Sequence, residues 1–275
     1  FFLLKNHGMD VEIEDMWRHS EKFFSSDALE KRRILRTRDK PLGYYDRELT
    51  KRKRDLKEVF DYMLPRDDRD DLNQWPQSDP EFKEVMIDFF HAATFVAERT
   101  LKLIYRALSK CEVELSALPR GDGQTSNVRL NCYPLGDPLA ENERSGIADL
   151  GDMALHHHTD PGVLTLLLQD MTGGLQALSG SDGWIDVPPE EGTIVINLGD
   201  AIQVWSNDNY KSAVHRVVPM KASTRYSTPY FYSPTRDAIL EPLQALNVGD
   251  PLYRSFSWRE YIQGRIDDNY ADPGE

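Results

Sequence analysis

Past Gly121-Asp122-Gly123 the chain changes character, and that change limits what it can fold into. From Val128 it breaks into short runs rich in β-branched and aromatic residues, at 128–133, 163–169, 193–198, 213–218 and 225–232. Gly173-Gly174 and the stretch 179–183 supply turns between them. Many short strands at near-regular spacing bury one face each, and they can do so only in a sandwich or a barrel of the jelly-roll kind.

The residues before this point read differently. Between Val11 and Arg36 apolar residues recur at helical spacing, with Met16, Phe23, Phe24 and Leu29 on the expected buried stripe. A basic run, Lys51-Arg52-Lys53-Arg54, reads as a solvated loop, and a short apolar piece follows at 59–64. Asp79-Pro80-Glu81 has the form of an N-cap with proline at the first helical position. A long helix is expected from there to about Lys110, burying Phe89, Phe90, Phe95 and Val96. Helix returns at 251–268. The expected organisation is a mainly helical region, 1–122, packed on a β core with a C-terminal helix, 123–275, in one compact unit.

A chain of 275 residues suffices for a buried core of this size. Its net charge of −13 disfavours nucleic acid and anionic membrane surfaces as partners. No apolar stretch reaches the length of a membrane span. Two cysteines, Cys111 and Cys132, make no disulfide framework and too few ligands for a cysteine zinc site, so a reducing, cytoplasmic setting is expected. The chain opens on Phe1 without an initiator methionine, which leaves a targeting peptide open.

Chemistry concentrates in the β region. His156, His157 and His158 are consecutive, and Asp160 follows two residues after the last. Alternation along a strand lets His158 and Asp160 aim at one point. His215 lies in a separate predicted strand. Two histidines and a carboxylate make the facial triad of non-haem iron(II) oxygenases, although the pattern alone is weak. Arg225-Tyr226-Ser227 adds specificity, because an arginine fork and a hydroxyl on one strand face can hold a carboxylate.

Longer strings carry a family resemblance. They are His158-Thr159-Asp160, then 164–170 (LTLLLQD), Gly173-Gly174-Leu175-Gln176, Trp184, 195–200 (VINLGD), Trp205-Ser206-Asn207, 213–217 (AVHRV) and Arg225-Tyr226-Ser227. Asn6-His7-Gly8 and 129–134 (RLNCYP) extend the match upstream. In order and spacing these resemble the isopenicillin-N-synthase-like branch of the 2-oxoglutarate- and iron(II)-dependent oxygenases. The resemblance implies a distorted double-stranded β-helix, a jelly-roll relative, flanked by helices. It implies iron bound by His158, Asp160 and His215. It implies 2-oxoglutarate held by Arg225 and Ser227, with help from Asn131 and Tyr133, and O₂ as the oxidant. Ascorbate is expected as a stimulant and the protein as a monomer. His156 and His157 are unusual before the motif and are expected to be exposed.

The expected reaction is hydroxylation or desaturation of a small metabolite, of plant-type or microbial secondary metabolism or a hormone, with release of succinate and CO₂. Strand parity places Phe231 in the pocket beside Arg225 and Ser227. In the 56–62 segment, which resembles one bordering the substrate, Val59 and Asp61 are expected to face inward. Two alternatives stay open: an iron(II) oxidase of the same fold that needs no 2-oxoglutarate, and a catalytically silent binding protein.

Overall fold

The computed structural model describes residues 1–50, 53–66, 71–109, 115–246 and 249–270. In chain order its elements are β1 (Phe2–Lys5), α1 (Asp10–Phe24), α2 (Ala28–Arg32), β2 (Gly43–Tyr45), β3 (Leu49–Thr50), β4 (Lys53–Arg54), β5 (Glu58–Tyr62) and α3 (Phe82–Leu108). Then come β6 (Asn127–Tyr133), β7 (Leu155–His158), β8 (Leu164–Gln169), β9 (Leu175–Ser179), β10 (Gly183–Asp186) and β11 (Thr193–Leu198). The last are α4 (Asp200–Trp205), β12 (His215–Val217), β13 (Arg225–Tyr232), β14 (Ile239–Leu240), β15 (Phe256–Ser257) and α5 (Trp258–Tyr270).

The fold is mixed α and β. One sheet runs β1-β11-β8-β13-β6-β5-β2 and a second β10-β9-β12-β7, with antiparallel neighbours in both. Strands from the first third, β1, β2 and β5, therefore belong to the same large sheet as the strands past residue 122. β5 is buried at every position and so carries no alternation to read.

The long helix explains where the core sits. In α3 the buried positions Phe82, Met86, Phe90, Ala93, Ala97, Leu101 and Ile104 fall three or four apart and form one stripe. That stripe packs on α1, β8 and β13. Phe95, expected among the buried residues, lies off the stripe and is exposed, with Arg99 over its ring. Leu29 is also exposed. The helical spacing expected between Val11 and Arg36 is realised as two helices, with the first closed at Ser25. Asp79 is not an N-cap either. Its carboxylate accepts from His19 Nδ1 at 2.7 Å and pairs with Lys22, so it ties the start of α3 to α1.

The basic run divides. Lys53 is exposed, whereas Arg54 is 2% exposed and forks onto Asp137 at 2.5 and 2.6 Å. Lys51 and Arg52 lie outside the described residues, as does Cys111. Arg54 also receives a backbone hydrogen bond from Gly151 and donates one to Asp149, which fixes the segment leading into β7. Cys132 is buried with a free thiol. Among the described residues no helix is long and apolar enough to cross a membrane.

The Arg54–Asp137 pair gives a stability test. Hydrogen bonding from Arg54 holds the Asp137 carboxyl below its usual range. A depressed carboxyl stabilises the fold above the unfolded value, about 3.9, and that contribution is lost as pH falls through the folded value. Removing one member of a buried pair costs about 3 kcal/mol. Asp137→Asn is expected to lower unfolding free energy by that order at pH 7, with the gap to wild type shrinking below about pH 4. Urea unfolding at both pH values measures it, and equal stability at pH 7 would contradict the assignment.

Candidate functional site

A cavity of about 810 Å³ opens between the two sheets. Odd-numbered residues of β5, β6 and β13 line one wall: Asp61, Arg129, Asn131, Tyr133, Arg225, Ser227 and Phe231. His158, Asp160 and His215 line the opposite side. Alternation along strands is what brings residues distant in sequence onto this one surface.

Strand pairing assembles the histidines. In the β7–β12 register His158 stands opposite His215, and the two rings are 4.3 Å apart. Each Nδ1 faces a backbone carbonyl, His158 that of His156 at 2.8 Å and His215 that of Ala213 at 3.0 Å. Donation from Nδ1 leaves each Nε2 as a lone pair, the form a metal binds. Both Nε2 atoms point at Asp160 Oδ1, at 3.7 Å each. The three donor atoms lie within 4.8 Å of one another. This set of two imidazoles and one carboxylate oxygen, all on one side, suits iron(II) and leaves positions for other ligands.

Asp160 is not in a strand with His158, as the spacing had suggested, because β7 ends at His158. A turn presents it instead, and the start of α4 holds that turn. Asp200 N donates to Asp160 O at 2.8 Å, and Ala201 N donates to Gly162 O at 3.1 Å. Gly199 permits this approach, since a Cβ there would strike the Gly162 backbone. The other carboxylate oxygen, Oδ2, accepts from Thr165 Oγ1 at 2.6 Å and Asn197 Nδ2 at 2.8 Å. Oδ1 is thereby left for a metal.

The electrostatics agree with that role. Burial, with His215 beside it, pushes His158 down to about 3, so the imidazole is neutral. Burial pushes Asp160 up, yet the two histidines and the hydrogen bonds from Thr165 and Asn197 outweigh it and hold the carboxyl below its usual range. His156 is not exposed, contrary to expectation. It is buried and its Nδ1 lies 2.9 Å from Asp55 Oδ1. His157 is exposed beside Trp184.

Across the cavity Arg225 is fully buried. Nη2 donates to Gln169 Oε1 at 3.2 Å, while Nε and Nη1 have no partner. Register places Arg225 opposite Tyr133 and Ser227 opposite Asn131. Asn131 Nδ2 reaches Ser227 Oγ at 3.4 Å, and its Oδ1 has no partner. A buried guanidinium with two idle donors needs an anion. Phe231 lines the cavity. Asp61 does too, but its carboxylate is occupied by Arg129 at 2.7 and 2.8 Å and by Arg36 at 3.2 Å. Val59 shares that face but is fully buried beneath the wall, between Tyr45 and Asn131 in register.

Thr165, Asn197 and Gln169 escaped the sequence reading. Their signal was present, since each is a polar side chain in a mainly apolar strand, LTLLLQ or TIVINL. Support of this kind is worth about 10- to 100-fold in metal affinity. Asn197→Ala is therefore expected to weaken Fe(II) binding by that factor with the melting temperature of the metal-free protein little changed. Anaerobic Fe(II) titration reads it, and undiminished affinity would remove Asn197 from the site.

Comparison with known proteins agrees with the geometry. The 2OG-Fe(II) oxygenase superfamily matches residues 125–234, and the non-haem dioxygenase in morphine synthesis N-terminal family matches 1–78. Homoarginine-6-hydroxylase 2-ODD-C23 of Glycine max is 30% identical over 299 residues, covering 99% of this chain and 86% of the relative. A 1-aminocyclopropane-1-carboxylate oxidase of Diospyros kaki is 34% identical over 268 residues, covering 96% and 80%. Among solved structures, Neurospora crassa T7H in complex with alpha-KG and thymine superimposes with a TM-score of 0.77 at 26% identity, covering 96% of this chain and 86% of that one. JOX2 in complex with 2OG, Fe and JA gives 0.74 at 26% identity, covering 96% and 76%. Matched along nearly its whole length, and with a histidine–aspartate–histidine cluster fit for iron, the chain belongs to the iron(II)- and 2-oxoglutarate-dependent oxygenase superfamily.

Proposed function

We propose that this enzyme hydroxylates a small organic metabolite held in the cavity between the sheets, consuming 2-oxoglutarate and O₂ and releasing succinate and CO₂. In this reading the two sheets are the halves of a distorted double-stranded β-helix. His158, Asp160 and His215 hold the iron, and the metal supplies O₂ activation when bound. The protein's own residues do the rest. Thr165 and Asn197 keep Asp160 oriented, the carbonyls of His156 and Ala213 fix the imidazole tautomers, and the apolar side chains Leu167, Val217 and Phe231 exclude water around the reacting C–H bond.

One observation carries the cosubstrate assignment. Arg225 is buried on the cavity wall with Nε and Nη1 unpaired, and Ser227 lies two residues along the same face. A planar fork with two idle donors fits the distal carboxylate of 2-oxoglutarate. Asn131 and Tyr133, opposite Ser227 and Arg225, complete that end of the site. Hydroxylation is favoured as the outcome by the relatives named for it, homoarginine 6-hydroxylase and scopoletin 8-hydroxylase. The relatives named as 1-aminocyclopropane-1-carboxylate oxidases keep an oxidase reading in play, and the same residue tests it.

Arg225→Lys keeps the charge but loses the fork. A hydrogen bond to a charged group is worth about 1.5–3 kcal/mol, so losing one is expected to raise the 2-oxoglutarate KM about 10- to 100-fold. Iron content is expected to stay at the wild-type level, and Ser227→Ala to shift KM less in the same direction. An unmoved KM in Arg225→Lys, or wild-type turnover without 2-oxoglutarate, would favour the oxidase. Phe231→Ala is expected to change product distribution or substrate KM more than uncoupled 2-oxoglutarate consumption; unchanged values for all three would make Phe231 a packing residue.

A further inference from the structure

The chain carries a net charge of −13, yet its cavity is electropositive. Among the described lining side chains six are lysine or arginine and three are aspartate or glutamate. Most of these charges are accounted for. Arg36 and Arg129 pair with Glu48 and Asp61 in one network. Arg265 pairs with Asp200 and donates to the Thr159 carbonyl. Arg38 is exposed at the mouth. On the reading above, Arg225 takes the cosubstrate and Asp160 the metal.

Lys57 remains. It is 2% exposed, and its side chain lines the cavity. It precedes Glu58, which pairs with Cys132, so it lies across from Tyr133, which in turn pairs with Arg225. Its ion-pair partner among the described residues is Asp55, with Nζ 3.6 Å from Oδ2, beyond hydrogen-bond reach. Asp55 is already committed elsewhere. Thr50 Oγ1 donates to Oδ2 at 2.7 Å, and His156 Nδ1 lies 2.9 Å from Oδ1. Burial alone would lower the Lys57 pKa, but Asp55 and Glu48 outweigh it and the ammonium is held above its ordinary value. A buried ammonium has three donors and a large desolvation cost, and it is retained where an anion arrives to meet it.

We propose that Lys57 is a substrate-recognition residue whose ammonium pairs with a carboxylate, so that the molecule oxidised in this cavity is an organic acid with an apolar body. The inference rests on the oxygenase reading and narrows its substrate class. The apolar body lies against the same side chains that exclude water, Leu167, Val217 and Phe231. The acid is anchored apart from Arg225, so substrate and cosubstrate carboxylates do not compete for one fork.

The test uses the whole protein loaded with Fe(II) and 2-oxoglutarate under anaerobic conditions. Benzoate, phenylacetate and hexanoate are each titrated against the matching primary amide. The readouts are the visible charge-transfer band of the chelate and the melting temperature. At least one acid is expected to shift either signal at a concentration tenfold or more below that of its amide. Lys57→Met is expected to raise that concentration at least tenfold, and Lys57→Arg to keep it within threefold. Lys57→Gln takes the place of the methionine variant if that protein does not fold. The 2-oxoglutarate concentration that half-develops the band is expected to stay within twofold of wild type in the methionine variant. Equal effects of acids and amides, no response to any acid, or an acid response intact without Lys57 would overturn the proposal. Loss of 2-oxoglutarate binding with the acid response unchanged would give Lys57 to the cosubstrate and overturn it too. If the wild-type band never develops, the oxygenase reading fails instead, and the acid and amide comparison by melting still decides for or against Lys57.

Discussion

Asp160 is a carboxylate removed from water beside two imidazoles, and the arrangement of the site depends on how its charge is met. A buried charge is tolerated only with hydrogen bonds and a counter-charge. Thr165 and Asn197, from adjacent strands β8 and β11, donate to one oxygen. The other oxygen is left facing the Nε2 atoms of His158 and His215. Metal chemistry follows from this division, because a carboxylate satisfied at one oxygen and free at the other presents a single directed ligand. The turn that carries Asp160 is in turn pinned by the first residues of α4, which gives the β11–α4 junction a direct bearing on the metal site.

The opposite wall solves a related problem with charges of both signs. Arg36, Glu48, Arg129 and Asp61 neutralise one another along the inner faces of the sheet and its connecting segment. Such a network costs desolvation and returns it through paired hydrogen bonds, so it fixes the wall without adding net charge. Against that neutral background the groups left unpaired stand out: Arg225 with two idle donors, Asn131 with an idle acceptor, and Lys57 with one distant partner. Ligands are to be expected where burial has not been compensated by the protein itself.

Much of this was legible in the sequence, and the reasons differ by feature. Short β runs after residue 123 and the period-two spacing of Arg225 and Ser227 gave the sheet and one binding face, because strand alternation is a local property. The approach of His158 to His215 depended on register between strands, which no local pattern contains, and only the resemblance supplied it. The spacing argument for Asp160 reached the right neighbourhood through a wrong element, since a turn and not a strand presents it. β5 shows no alternation of its own because it is buried on both faces, and the expected inward facing of Val59 and Asp61 came from the resemblance. Phe95 was misplaced because helical periodicity was read as a stretch rather than as a stripe. His156 was expected to be exposed and Lys57 carried no local signal, and the burial of both is a tertiary fact.

On the proposed function the metal cluster and Arg225 serve one reaction on 2-oxoglutarate. Its most direct measurement is iron-dependent conversion of 2-oxoglutarate to succinate and CO₂ in air, followed in wild-type protein and in His215→Ala. Succinate formation is expected to require added Fe(II), to be slow without a second substrate, and to be absent in His215→Ala. Succinate formation that persists in His215→Ala, or iron-loaded wild-type protein that consumes O₂ and leaves 2-oxoglutarate untouched, would contradict the proposed function.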